Sequence, residues 1–171
     1  SPTGSYTVNL HLVRDGQTGA QIGSTTVKVQ EFQPDRMKVT ARFSAEPSEG
    51  WLNPRDLKAM VSAYNLFGTP AQGRRVSADI TLSPAFPAFG RYPDYKFYDP
   101  QRAKEGYSAK LNDQATDDKG ETEFDLGLNK YAKATYRINF VARAFEAAGG
   151  RGVAAETASL VSELPYLVGF K

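Results

Sequence analysis

The sequence predicts an all-β fold: a seven-stranded antiparallel Ig-like or fibronectin-like β-sandwich over 34–165, preceded at 1–33 by a β-hairpin from a similar, earlier module. Three observations carry this. Apolar residues recur at every second position in short runs bounded by Gly, Pro, Asn and Asp clusters. Nowhere do strand-like runs alternate with the helical segments that a parallel sheet requires. The end of the chain also repeats the pattern of its beginning. Tyr6-Thr7-Val8-Asn9-Leu10 opens a segment closing with Glu31-Phe32-Gln33-Pro34, and Tyr136-Arg137-Ile138-Asn139-Phe140 opens one of similar length closing with Glu163-Leu164-Pro165.

The elements follow in order. Tyr6 to Val13 and Thr25 to Phe32 alternate as half-buried strands do, around a Gly-rich connection from Gly16 to Gly23. Met37, Val39, Ala41 and Phe43 share one face of the first strand of the complete module. Pro47 to Pro54 reads as a loop from which Trp51 and Leu52 return to the core. From Leu57 to Tyr64 the odd positions are apolar, which defines a second strand, and Asn65 to Gly73 is a turn-rich connection. Val76, Ala78, Ile80 and Leu82 mark a third strand stopping at Pro84.

Prolines at 84, 87, 93 and 100 exclude the next stretch from a central strand, so it reads as a long ordered loop with one short strand around Tyr95 to Tyr98. Asp113 to Gly120 is a loop whose Asp117-Asp118-Lys119-Gly120 places Gly at a left-handed turn position. Phe124, Leu126 and Leu128 follow as a strand. Ala132 to Ala148 is alanine-rich and would favour helix on propensity. The echo of the first hairpin decides for strand, because Tyr136, Ile138, Phe140, Ala142 and Ala144 fall on one face at period two. Residues 166–171 read as the start of a linker to a following domain.

Composition narrows function mainly by exclusion. Lys and Arg number 21 against 19 Asp and Glu, and the basic residues are scattered, so the concentrated basic face that nucleic acid needs is missing. With no cysteine there is no disulfide, thiolate nucleophile or Cys-ligated zinc in this stretch. No apolar run reaches the ~20 residues of a membrane helix, and no membrane contact by this segment is expected.

Catalytic, metal and cofactor residues are expected to be none. His11, the single histidine, alternates on a strand without a Gly-x-Ser-x-Gly partner, which suits a surface imidazole better than a catalytic one. Asp113, Asp117, Asp118, Glu121 and Glu123 could in principle gather around calcium, but the twelve-position loop pattern is absent and solvated turns account for them. The candidate contact surface is aromatic. Phe86, Phe89, Tyr92, Tyr95, Phe97 and Tyr98 place six rings within thirteen residues, more than one loop readily leaves in water. They must cover the core, meet a neighbouring domain or bind a ligand.

Several of these segments resemble one family. Phe32-Gln33-Pro34-Asp35-Arg36-Met37-Lys38-Val39 is similar to the junction between successive macroglobulin domains of α2-macroglobulin-like proteins. Ala63-Tyr64-Asn65-Leu66-Phe67-Gly68-Thr69-Pro70-Ala71 resembles the family's second-strand ending and its Phe-Gly-x-Pro turn, and Thr116-Asp117-Asp118-Lys119-Gly120 its Thr-Asp-x-x-Gly hairpin. The lack of cysteine and the exit Leu164-Pro165-Tyr166-Leu167-Val168-Gly169 look more like bacterial members.

The resemblance implies a structural module of a protease-trapping inhibitor, periplasmic and attached to the inner membrane, if at all, through a lipoprotein anchor elsewhere. Its implied partners are neighbouring macroglobulin domains of the same chain and, through the whole protein, target proteases. The Cys-x-x-Gln thioester of one subgroup cannot lie here, for want of a cysteine. On this reading Phe86, Phe89, Tyr92, Tyr95 and Tyr98 are interdomain contacts. Two other readings stay open: a carbohydrate-binding or adhesin module with Tyr92, Tyr95 and Tyr98 as its platform, and a hydrolase with a carboxylate pair.

Overall fold

The computed structural model describes residues 4–29, 36–47, 50–100, 102–131, 133–147 and 152–171. The chain divides into two compact units, 1–35 and 36–171, two residues beyond the boundary expected from the sequence. The expected closing residues Glu31 to Pro34 of the first hairpin lie outside the described residues.

The first unit is an antiparallel hairpin of β1 (Gly4–Arg14) and β2 (Gln17–Val29). Its turn is shorter than the sequence suggested. Asp15 and Gly16 both take left-handed backbone angles, φ 53° and 77°, the two-residue geometry whose twist matches that of the flanking strands. The expected Gly16–Gly23 connection is instead mostly strand: Gly19 and Gly23 lie within β2, and the irregularity they permit is taken up by register shifts around His11. Tyr6 opposes Val27 and Val8 opposes Thr25 on one face. On the other, the Asn9 side-chain oxygen accepts from Ser24 Oγ at 2.8 Å.

The second unit is built on two sheets. β3 (Met37–Phe43), β4 (Lys58–Asn65) and β9 (Glu121–Asp125) form one, in the order β3-β4-β9. β5 (Arg75–Pro84), β7 (Tyr107–Lys110), β10 (Tyr136–Phe145) and β11 (Gly152–Val161) form the other, in the order β11-β10-β5-β7, with the two-residue β8 (Gln114–Ala115) also on β5. β6 (Lys96–Tyr98) and β12 (Val168–Phe170) pair separately as a ribbon. All these pairings are antiparallel.

The alternation predicted along the chain is the burial observed. Val76, Ala78, Ile80 and Leu82 on β5 stand opposite Ala144, Ala142, Phe140 and Ile138 on β10, and all eight are buried. From the facing sheet come Met37, Phe43, Ala59, Val61, Ala63 and Phe124. The rings of Phe124 and Phe140 meet across the core with centroids 5.7 Å apart. The alanine-rich segment is strand, as the echo indicated, because β10 lies between two partners that satisfy its backbone on both edges. Leu52 returns to the core with its N–H donating to Leu160 and its carbonyl accepting from Ser162, while Trp51 is half-buried.

Two expectations are corrected. β7 and β8 were not foreseen, since Tyr107 to Lys110 is a short edge strand and Gln114–Ala115 lies in what read as a loop. Leu128 is not on the strand with Phe124: the Asp125 carboxylate accepts the N–H of Gly127, whose left-handed φ of 56° turns the chain into a 3-10 turn at Leu128–Lys130. Residues 166–171, read from the sequence as the start of a linker, contain β12, which pairs with β6.

Gly120 does take the left-handed position, φ 77°, and a Cβ there would come within 2.4 Å of the Ala63 carbonyl oxygen, whose amide bonds back to Gly120. Phe140→Ala should destabilise the second unit by about 3–5 kcal/mol, the range for emptying a buried ring. Urea unfolding followed through Trp51, the single tryptophan, measures this directly.

Candidate functional site

The aromatic segment is neither a bare loop nor fully absorbed into the sandwich. Ala85 is buried and anchors its start, and Phe97 is drawn inward on β6 by pairing with Gly169. The rings then form a chain. Phe89 packs edge-on against Phe97 at 4.9 Å and tilted against Trp51 at 5.9 Å, distances at which the ring edge of one meets the π face of the other. Trp51 Nε1 donates to the Leu164 carbonyl at 3.0 Å, fastening the segment to the chain beyond β11. Two glycines make room: a Cβ on Gly50 would come within 2.6 Å of the Phe89 ring, and one on Gly169 within 2.9 Å of Phe97.

The five residues singled out from the sequence therefore divide. Phe89 belongs to this packed chain, whereas Phe86, Tyr92, Tyr95 and Tyr98 are exposed. The Arg102 guanidinium covers Phe86, 4.2 Å above its centroid. Tyr92 and Tyr95 stand edge-on at 76°, so those two rings share no flat face for a sugar. Sequence reasoning missed Val168 and Phe170, both exposed beside this segment, because they lie seventy residues on and only the β6–β12 pairing brings them there. It also missed Phe67, fully presented at the tip of the turn between β4 and β5 and 97% exposed.

The polar candidates serve the fold. His11 donates from Nδ1 to the Gly19 carbonyl at 3.2 Å within the hairpin. The carboxylates are dispersed. Asp113 pairs with Arg75 at 2.8 Å, Glu123 pairs with Lys58, and Asp117 caps its turn by accepting the N–H groups of Lys119 and Glu121. Among the described residues no cluster of three or more His, Cys, Asp or Glu could hold a metal ion. Behind the Asp117 turn, buried Thr116 donates to the Ala71 carbonyl and accepts from the Arg74 amide.

A cleft of ≈ 510 Å³ opens at one end of the sandwich. Its lining includes Leu57, Leu82, Tyr136 and Val161, and charges of both signs surround them: Arg55, Asp56, Lys58, Asp125, Lys133 and Glu163. Lys133 and Glu163 pair at 3.2 Å, and the hydrogen bond and charge of Glu123 hold the exposed Lys58 ammonium above its usual pKa. With opposite charges interleaved, no field of one sign selects a charged ligand. Burial, then the neighbouring Tyr107, pushes the Tyr136 phenol above its ordinary value of 10.0.

Residues 35–162 match the model of the bacterial α2-macroglobulin MG5 domain, three quarters of the chain. The chain belongs to the bacterial α2-macroglobulin family. It is 45% identical over 172 residues to the α2-macroglobulin homolog of Yersinia pestis, covering 100% of this chain and 9% of that protein. Against the α2-macroglobulin of Rickettsia conorii it is 44% identical over 169 residues, covering 99% and 9%. The chain thus spans about a tenth of the length of these macroglobulins.

In fold it is similar to E. coli α2-macroglobulin. The match to the native conformation has a TM-score of 0.61 at 24% identity, covering 99% of this chain and 10% of that one; the match to the trypsin-activated crystal structure has 0.59 at 24%, covering 96% and 11%. Within the macroglobulin module, the rings Trp51, Phe89 and Phe97 and the cleft lining other than Glu163 fall inside the matched residues, whereas β12 falls outside them.

Phe89→Ala in this macroglobulin segment should red-shift Trp51 emission and raise its quenching by acrylamide, with a stability loss of about 1–3 kcal/mol. Unchanged emission would show that Phe89 does not shield the indole. The raised phenol of Tyr136 gives a second expectation. Its neutral form is favoured by folding, so its contribution is complete below the unfolded pKa of 10.0 and is lost as pH rises through the higher folded value. Urea stability should therefore fall less between about pH 9 and 11 in Tyr136→Phe than in the unaltered chain.

Proposed function

We propose that this chain is a framework segment of a larger bacterial α2-macroglobulin that captures proteases, with the capturing chemistry located in other parts of the protein. The observation that carries this reading is the match of 35–162 to an MG5 domain in a chain covering only 9% of its relatives. The dispersed carboxylates and the interleaved charges of the cleft, among the described residues, support this reading. With no cysteine, it holds no thioester. The setting proposed for the parent is the periplasm, anchored if at all through a lipoprotein segment elsewhere.

In that role the module's partners are its neighbours in the same chain. The hairpin of β1 and β2 is proposed to close a preceding module. Tyr6, Val8 and Leu10 are 39%, 54% and 61% exposed, while their counterparts in the echo, Tyr136, Ile138 and Phe140, are 3%, 0% and 0%. A two-stranded ribbon with one bare apolar face is marginal in water, so the complete protein has to cover it. Tyr92, Tyr95 and Tyr98, with Phe86 under Arg102, are proposed as contacts to a neighbouring module.

The test uses the full-length protein and trypsin. A trapping protein should leave trypsin active on a small chromogenic peptide and strongly reduce its cleavage of a large protein substrate. The 171-residue segment alone should change neither rate. Full-length protein that spares large substrates nothing, or a segment that inhibits alone, would overturn the reading.

A further inference from the structure

The MG5 match ends at residue 162, yet the next strand, β12 (Val168–Phe170), pairs with β6 (Lys96–Tyr98) inside the match. A strand beyond the matched residues, though within the compact unit 36–171, is held by a loop strand inside the match. The repeat in the chain says what that outer strand is. β3, the first strand of the second unit, starts eight residues after β2 ends, from Val29 to Met37; β12 starts seven after β11 ends, from Val161 to Val168. Both connections carry an acidic residue, an apolar residue and a proline, Glu31-Phe32-Gln33-Pro34 in one and Glu163-Leu164-Pro165 in the other. In position β12 is thus to the hairpin β10–β11 what β3 is to β1–β2.

We propose that β12 is the opening strand of the next module in the parent chain, and that the aromatic loop of the module at 36–162 donates β6 to it as a clamp. The inference rests on the reading that further modules follow in the parent chain. The clamp has an anchored side and an open side. On the anchored side Phe97 lies over Gly169 and against Phe89, which leads through Trp51 to the Leu164 carbonyl. Side chains alternate, so Tyr98 and its register partner Val168 face the other way with Phe170, and all three are exposed, at 64%, 59% and 56%.

Two features fit a following module as the occupant of that face. Among the described residues β12 has β6 as its only strand partner, which leaves its far edge open to a second strand, as β3 pairs with β4. Three-residue strands are also too short to form a stable ribbon alone, so the rings on the open side need a covering body. Held this way, the next module could not swing freely about the linker, and its orientation would be set by Phe97 and Gly169 and not by the length of the connection.

The experiment is made on the full-length protein. Tyr98→Cys combined with Val168→Cys places thiols on directly opposed residues, and mild oxidation should join them in most molecules, as read by peptide mass mapping; the out-of-register pair Tyr98→Cys with Phe170→Cys should not join. Recovery of the in-register pair as free thiols would overturn the clamp. Hydrogen exchange on the unaltered protein gives an independent measure. Amides in 96–98 and 168–170 should be protected together, and Phe97→Ala should speed both sets at least about tenfold. Fast exchange at both in the unaltered protein would also overturn it.

Trypsin capture assayed in parallel separates the two ideas. Cross-linking without capture refutes the protease-trap reading and leaves the clamp standing, whereas capture without cross-linking or protection refutes the clamp alone.

Discussion

The module depends first on the pairing of β5 with β10. Over nine consecutive residue pairs the apolar members of each strand fall opposite one another, and each such pair presents its side chains to the same face. Val76 with Ala144, Ala78 with Ala142, Ile80 with Phe140 and Leu82 with Ile138 form a continuous buried stripe. A slip of one residue would turn all of it outward and bring Ser77, Asp79, Thr81, Arg137, Asn139 and Arg143 into the core. The cost of burying those polar groups makes this register the one that the remaining strands must accommodate.

What surrounds the stripe follows from it. β11 and β7 extend the sheet on either side, and β3-β4-β9 closes over it through small residues, Ala59 and Ala63, and large ones, Val61 and Phe124. The long connection after β5 begins at Pro84, where the strand can no longer donate a hydrogen bond, and Ala85 tucks it under the edge of the core. From there the segment reaches Trp51 and the residues after β11. The aromatic loop is therefore placed by where β5 and β11 stop, and its inner rings are held by ring contacts and two glycines more than by backbone pairing.

Much of this was legible because a strand's faces alternate with the sequence itself. Met37 to Phe43, Leu57 to Tyr64, Val76 to Leu82 and Tyr136 to Ala144 could each be read one residue at a time, and the echo outweighed the helical propensity of the alanines in β10. The less legible elements were too short for periodicity to register. β7 and β8 have four residues and two, and they are strands only because β5 offers them an edge. The first turn was misjudged for a related reason: glycine marks permission to bend, and of Gly16, Gly19 and Gly23 only Gly16 sits where the chain reverses. In the aromatic loop, the ring-rich composition was evident, but the division into packed Phe89 and exposed Tyr98 was not.

By itself the sequence determined that the chain is a β-sandwich module preceded by a hairpin, and that it has no cysteine. Those facts are local: period, turn residues and composition are properties of neighbouring positions. Only the tertiary structure decided that Val168 to Phe170 lie beside Lys96 to Tyr98, that Trp51 and Phe89 share one packed chain, and that the carboxylates disperse into separate pairs and caps. Each of these joins residues far apart in sequence, and such contacts form only after the sheets have registered and packed, so no short stretch of residues contains them.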